Sequence, residues 1–296
     1  LNEVLIEEIK RTRKTSFTLA PEAGTDRMRR VINKGNTADE LLNSMDKVFA
    51  AGWKSVKLYF MLGLPSETQA DLDGIIDLGY RALKTAGSRG EVTISLSTFV
   101  PKPHTPFQWH RQINIEETRA KQEYIRQRVK SRRLNVKWHD ARMSLLEGLF
   151  SRGDERLGAL LEKAHSLGCR FDGWSEIFRF DLWQTALAES NFNSADYLRA
   201  RETGEVLPWE NIDCGVSRSF LLGEYEKSLQ EAPTGDCRFA SCQNCGVCDF
   251  ETTQNVFSAP EEIAAPAAAI TGTGREKNYR RSEEHTSELQ SHSGIS

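Results

Sequence analysis

The sequence predicts an α/β protein: a partial βα barrel, its second half, followed by a helical appendage and a small cysteine-rich module. Three observations predict it. Strand-like runs begin near Ser16, Lys54 and Glu91, about 37 residues apart, with helical patterns between them, the rhythm of parallel βαβ units. The first two runs each end in a small-residue turn that carries a carboxylate and opens a helix, Pro21–Thr25 and Gly63–Thr68. Third, the strands alternate: Val92, Ile94 and Leu96 face one way and Thr93, Ser95 and Ser97 the other, and Lys57 and Tyr59 share a face. Strands of a doubly wound sheet read apolar on both faces. A polar face opposite an apolar one suits a barrel with helices outside and a polar lumen. Ligands of such folds bind at the carboxyl ends of the strands, so both turns are candidate sites.

Composition narrows the class. The chain has 296 residues, 39% apolar and 27% charged, with net charge -3. That supports a sizeable core and argues against broad attraction to nucleic acid or anionic membranes. No apolar run approaches the ~20 residues that span a bilayer. Four of the six cysteines crowd into residues 237–248, metal or cluster spacing rather than a secreted disulfide framework, so a cytoplasmic location is expected. The first residue is Leu1 and lies just upstream of a strand, which leads us to expect further sequence before it.

In chain order, residues 1–14 read as a charged helical lead-in. The first strand runs from Ser16 to Leu19, its Ser16–Thr18 face directed toward Glu22. The first long helix has Thr37 as N-cap and Glu40 three residues on, a capping box. It buries Leu41, Met45, Val48 and Phe49 and ends at Gly52. A strand over Ser55–Leu62 follows. The second helix repeats the device with Ser66 and Gln69, buries Leu72, Ile75, Ile76 and Leu83, and stops at Gly87. The third strand, from Glu91, exits into Thr98–Phe107, where three prolines forbid regular pairing. A helix over Ile115–Arg133 starts from an Asn114 and Glu117 box. From Asp140 to about Ala200 the pattern is helical and rich in Trp and Phe. The expected organisation is a partial barrel over 1–135, the helical appendage over 136–236, a four-cysteine metal or cluster module over 237–250, an Ala/Pro/Gly linker over 251–280 that implies a following domain, and a tail over 281–296. The tail resembles a translated sequencing adapter and is set aside as an artefact.

The turn Pro21-Glu22-Ala23-Gly24-Thr25, followed by Lys57 to Thr68 with its Gly63-Leu64-Pro65-Ser66-Glu67-Thr68 turn, resembles the later half of a radical SAM barrel. Phe99–Trp109, Ser144–Gly153, Phe171–Glu176, Asp213–Ser217 and the terminal Cys-Gly-Val-Cys-Asp-Phe narrow the resemblance to the C-terminal half of an uncharacterised cobalamin-binding radical SAM family, over roughly residues 5–250. The resemblance implies an iron–sulfur enzyme. A [4Fe–4S] cluster on three cysteines would reduce S-adenosylmethionine to a 5′-deoxyadenosyl radical. Glu22, Gly24 and Thr25 would lie along the cofactor's ribose and methionine. Arg29, Arg30 or Lys34 would meet its carboxylate, and Gly63 and Pro65 would lie near the adenine. The departure is plain: no C-x3-C-x2-C and no cobalamin segment occur in the chain. The expectation is that cluster ligands and cobalamin belong to an N-terminal half, and that this chain is inactive alone.

Blander readings stand beside these. Glu22 and Glu67 could cap helices. Lys57, on the lumen face, could contact the cofactor or form a structural ion pair. His104, in the proline loop, is a candidate substrate contact. Asp154 with Arg152 and Arg156 reads as a solvated charge run, the aromatics of 171–183 as core, and Cys169 and Cys214 as buried small hydrophobes. Cys237, Cys242, Cys245 and Cys248 form C-x4-C-x2-C-x2-C, which suits an auxiliary iron–sulfur cluster or a structural zinc. Two alternatives from other classes follow: a zinc-knuckle adaptor without catalysis, and a barrel lyase using Lys57 as a Schiff-base amine.

Overall fold

The computed structural model describes Ile6, Ile9 and residues 16–88, 90–190 and 192–255. Most of the lead-in, most of the linker and all of the tail lie outside these. The described residues up to Gln254 belong to one compact unit.

Four strands form a wholly parallel sheet in the order β1 (Phe17–Glu22), β2 (Ser55–Leu62), β3 (Glu91–Thr98), β4 (Leu134–Trp138). Between them come α1 (Asp26–Val31), α2 (Ala38–Ala50), α3 (Gln69–Thr85) and α4 (Ile115–Arg128), with a 3-10 turn over Pro106–Trp109. The remaining described helices are α5 (Ala141–Arg152), α6 (Leu157–Leu167), α7 (Phe180–Glu189), α8 (Ser194–Leu198) and α9 (Arg218–Leu229).

The register explains the two faces. Val56 pairs with Val92 and that with Leu134; Leu58 with Ile94 and Val136; Phe60 with Leu96 and Trp138. Apart from the exposed Trp138, these rows pack on Leu41, Met45 and Val48 of α2, Leu72, Ile75 and Leu78 of α3 and Ile125 of α4 in one core. Burying such side chains contributes ~1.5–3 kcal/mol each. The alternate rows are polar: Thr18, Lys57, Thr93 and Asn135, then Tyr59, Ser95 and Lys137. Sequential strand order with helices on the apolar face departs from the doubly wound pattern, as the alternation predicts.

Local signals placed most boundaries. The Thr37–Glu40 and Asn114–Glu117 capping boxes are both formed, Gly52 and Gly87 hold the left-handed φ their turns need, and β2 has the expected bounds. Four expectations are corrected. The second helix starts at Thr68 and Asp71, not Ser66 and Gln69, because Ser66 has φ +59 and cannot enter a helix. The helix from Ile115 ends at Arg128, and the residues that follow turn into β4. β4 itself was missed, and it crosses the domain boundary set at residue 135. Finally, β1 runs on through Pro21 to Glu22 with one extra residue after Leu19. This bulge breaks the parity that was to carry the Ser16–Thr18 face to Glu22.

The appendage has its own apolar cluster, in which Leu149, Leu160 and Trp183 are buried. Not all its aromatics join it: Phe171 is 73% exposed and Trp174 38%. Arg152 departs furthest from expectation. It is wholly buried, and its guanidinium donates to the carbonyls of Tyr197, Gln108 and Arg199 at 2.9, 3.2 and 2.9 Å. Burial, then Arg201 and Arg199, lower its pKa to about 10. Arg152 is a clasp across the 3-10 turn, α5 and α8, not part of a solvated charge run.

Candidate functional site

The carboxyl ends of β1 and β2 meet through one buried carboxylate. Asp71, in the first turn of α3 and 3% exposed, accepts hydrogen bonds from Thr25 Oγ1 at 2.6 Å, Thr68 N at 2.8 Å and Thr68 Oγ1 at 2.7 Å, and pairs with Arg27. Burial alone would raise its pKa; the bonds from Arg27, Thr25 and Thr68 outweigh that and lower it. Arg27 also donates to the Ser66 carbonyl at 3.0 Å. Asp71 and Arg27 thus hold both turns in one arrangement. Sequence reading passed over both; the cue was Asp71 standing three residues after Thr68, the spacing of a capping box.

Glu22 ends β1 with φ +64, a backbone that non-glycine residues rarely adopt. Its carboxylate is half-buried, and Lys34 Nζ lies 3.6 Å away. Burial raises its pKa, with Lys34 opposing. Strain of this kind persists where surrounding structure enforces it, and clusters at ligand sites.

Several neighbours have structural duties instead. A Cβ on Gly24 would sit 2.3 Å from Ile75 N and 2.5 Å from the Asp71 carbonyl. On this side the close approach of Gly24 is to α3. Thr25 caps α1 by accepting from Met28 N at 3.2 Å. Arg29, expected to meet a cofactor carboxylate, is 2% exposed, donates to the Ala23 carbonyl at 2.6 Å and pairs with Asp26. Gly63, at φ +86, gives its N–H to the Glu67 carboxylate at 3.2 and 3.1 Å. Lys121 Nζ meets Glu67 at 2.6 Å, and burial raises the pKa of Glu67 despite that lysine. Pro65 is buried within the same turn. Beneath both turns Ala23, Met28, Val31, Leu64 and Phe99 form a small apolar cluster.

Lys57 does not stand with these groups. It is the third residue of β2, six positions before Gly63, so their backbones are ~20 Å apart at ~3.3 Å per residue. Its ammonium lies 3.5 Å from Tyr59 Oη, deep on the polar sheet face. His104 has φ +55 and donates its backbone N–H to Gln108 Oε1 at 3.2 Å.

Cys237 and Cys242 are exposed, and Cys245 and Cys248 half-buried. Among the described residues no three His, Cys, Asp or Glu side chains stand together as a metal-holding group. Cys214 is exposed rather than buried, while Cys169 is buried as expected. The sequence holds no C-x3-C-x2-C, and no residue of this chain is assigned to a cluster.

The comparisons with known proteins fit the geometry. The family model of the Radical SAM superfamily matches residues 1–79, the stretch that holds β1, β2 and both turns. The chain is 32% identical over 166 residues to the uncharacterized protein MJ0966 of Methanocaldococcus jannaschii, a match over 55% of this chain and 35% of that protein. The chain thus spans about a third of its relative's length in that match. No solved structure matches. No helix among the described residues is long and apolar enough to cross a membrane.

Proposed function

We propose that this chain provides the S-adenosylmethionine-binding rim of a radical SAM-type enzyme, its four strands forming part of a βα barrel. The observation that carries this reading is Glu22: a half-buried carboxylate in left-handed backbone at a bulged strand end, inside the segment that the superfamily model matches. S-adenosylmethionine bound there would supply a 5′-deoxyadenosyl radical only on accepting one electron from a [4Fe–4S] cluster, with methionine as the other product.

The chain's own residues do the following. Glu22 accepts hydrogen bonds from the cofactor's hydroxyl or ammonium groups. Lys34 balances the Glu22 charge when the cofactor is absent. Asp71 and Arg27 fix the two turns against each other, and Glu67 closes the second turn through the Gly63 N–H. Thr93 and Tyr59, both half-buried, offer substrate a polar sheet face. No role is assigned to cobalamin or to the four terminal cysteines.

Equilibrium dialysis of radiolabelled S-adenosylmethionine against the folded chain tests this reading. Saturable binding, displaced by S-adenosylhomocysteine and weakened about tenfold by Glu22→Gln, the loss of one charge-assisted hydrogen bond, supports it. A folded chain without saturable binding would falsify it.

A further inference from the structure

At the carboxyl end of β4 lies an open cleft of about 450 Å³, walled by α4 and the start of α5. That volume is in the range of small-ligand sites. Three features define its chemistry. The first is an uncovered ring. Trp138 shares a register row with Phe60 and Leu96, which are wholly buried, yet its own side chain is 43% exposed and lines the cleft. The second is charge. Of the acidic residues lining the cleft, Asp140 accepts from Arg142 Nε at 2.9 Å, and Glu123 from Arg126 Nε at 2.7 Å and Nη2 at 2.6 Å. Arg119 feels the charge of Asp140 but has no hydrogen bond or ion pair with a described residue, so its guanidinium is the lining charge left without a direct partner. The third is the floor: the Arg142 guanidinium is fixed by Asp140 and lies 5.8 Å from the Phe180 ring, where a second hollow shares Arg119 and Arg142 with the first.

A bare anion would find one unpaired guanidinium here and leave the Trp138 ring uncovered, and an apolar ligand would leave the polar part of the lining unmatched. A molecule that joins a flat heteroaromatic ring to a phosphate satisfies both features. Bases stack on exposed aromatic side chains, and the guanidinium fork matches phosphate oxygens. We propose that this cleft binds a nucleotide, its base against the Trp138 indole and its phosphate on Arg119. The site is separate from Glu22 and does not depend on the function proposed above.

The test is titration of the full-length chain with AMP, followed by equilibrium dialysis, with adenosine and inorganic phosphate as separate probes. The expected result is saturable AMP binding at one per chain, with adenosine and phosphate each bound more weakly. Trp138→Ala and Arg119→Ala should each weaken AMP binding about tenfold, the loss of one stacking or charged contact. Both side chains are exposed, so circular dichroism and Tm should be unchanged. Glu22→Gln should leave AMP binding unaltered. Absence of saturable AMP binding overturns the proposal, as does binding that both cleft variants leave intact. Binding that Glu22→Gln abolishes would assign AMP to the rim of β1 and overturn it equally.

Discussion

Glu22 holds a backbone conformation that costs an L-residue ~1–2 kcal/mol, and it does so at the mouth of a parallel sheet. Its Lys34 pair is partly solvated and contributes ~0–1 kcal/mol. Glu22→Gly should therefore raise stability by about 1 kcal/mol in urea titration while weakening S-adenosylmethionine binding. A loss of stability would show that the carboxylate is structural. Because burial raises the pKa of Glu22, the charged form that would bind the cationic cofactor fades as pH falls through a value above 4.5. Gly24 carries the opposite expectation. Its Cβ would strike helix backbone rather than a movable side chain, so Gly24→Ala should destabilise by roughly 3 kcal/mol or more, and unchanged Tm would refute the packing account. His110 sets a pH dependence. Burial, then Arg111 and Arg152, push its pKa down to about 4 from an ordinary value near ~6.5. Between these values the unfolded chain binds the proton and the folded chain does not, so stability is full above pH ~6.5 and falls as pH drops toward 4, by about 3 kcal/mol at ~1.4 kcal/mol per unit. His110→Asn should flatten that window in acid-dependent urea unfolding.

Among the elements, the turns after β1 and β2 and the start of α3 behave as one piece because Asp71 holds all three. Asp71→Asn removes the buried charge that Arg27, Thr25 and Thr68 all bond to and should cost ~1.5–3 kcal/mol. Thr37→Ala, which removes an ordinary exposed cap, should cost only ~1 kcal/mol. Equal losses in thermal unfolding would deny Asp71 any special part. Signals confined to four residues were legible in the sequence: the boxes at Thr37 and Asn114, the glycines that end α2 and α3, the alternation along β2 and β3. What escaped needed distant partners or special backbone. β4 reads Leu-Asn-Val-Lys-Trp, too short and polar to declare itself, and exists because β3 offers it an edge. The bulge at Glu22 hid behind Pro21. The burial of Arg152 depends on carbonyls about 45 residues away, which no local pattern could reveal.

At the scale of the whole molecule, the carboxyl end of the sheet is bound to the C-terminal segment. Glu231 pairs with Arg27 and Arg30 at 3.2 and 3.3 Å, and Asn33 Oδ1 accepts from Thr234 N at 3.0 Å. These partly exposed contacts contribute little energy each, yet they lock α1 behind the Glu22 turn. The candidate site was half legible from sequence. Glu22 and the paired turns stood out as motifs, whereas the structural contacts of Arg29, Gly24 and Gly63 within and around the turns were not visible in the sequence. The four terminal cysteines had convincing spacing, but spacing does not specify whether a loop gathers its thiols. The measurement that bears most directly on the central claim is amide hydrogen exchange of the folded chain with and without S-adenosylmethionine. The account predicts added protection confined to residues 20–36 and 61–68, the two turns and α1. Protection elsewhere with these turns unchanged, or none at saturating cofactor, would contradict it.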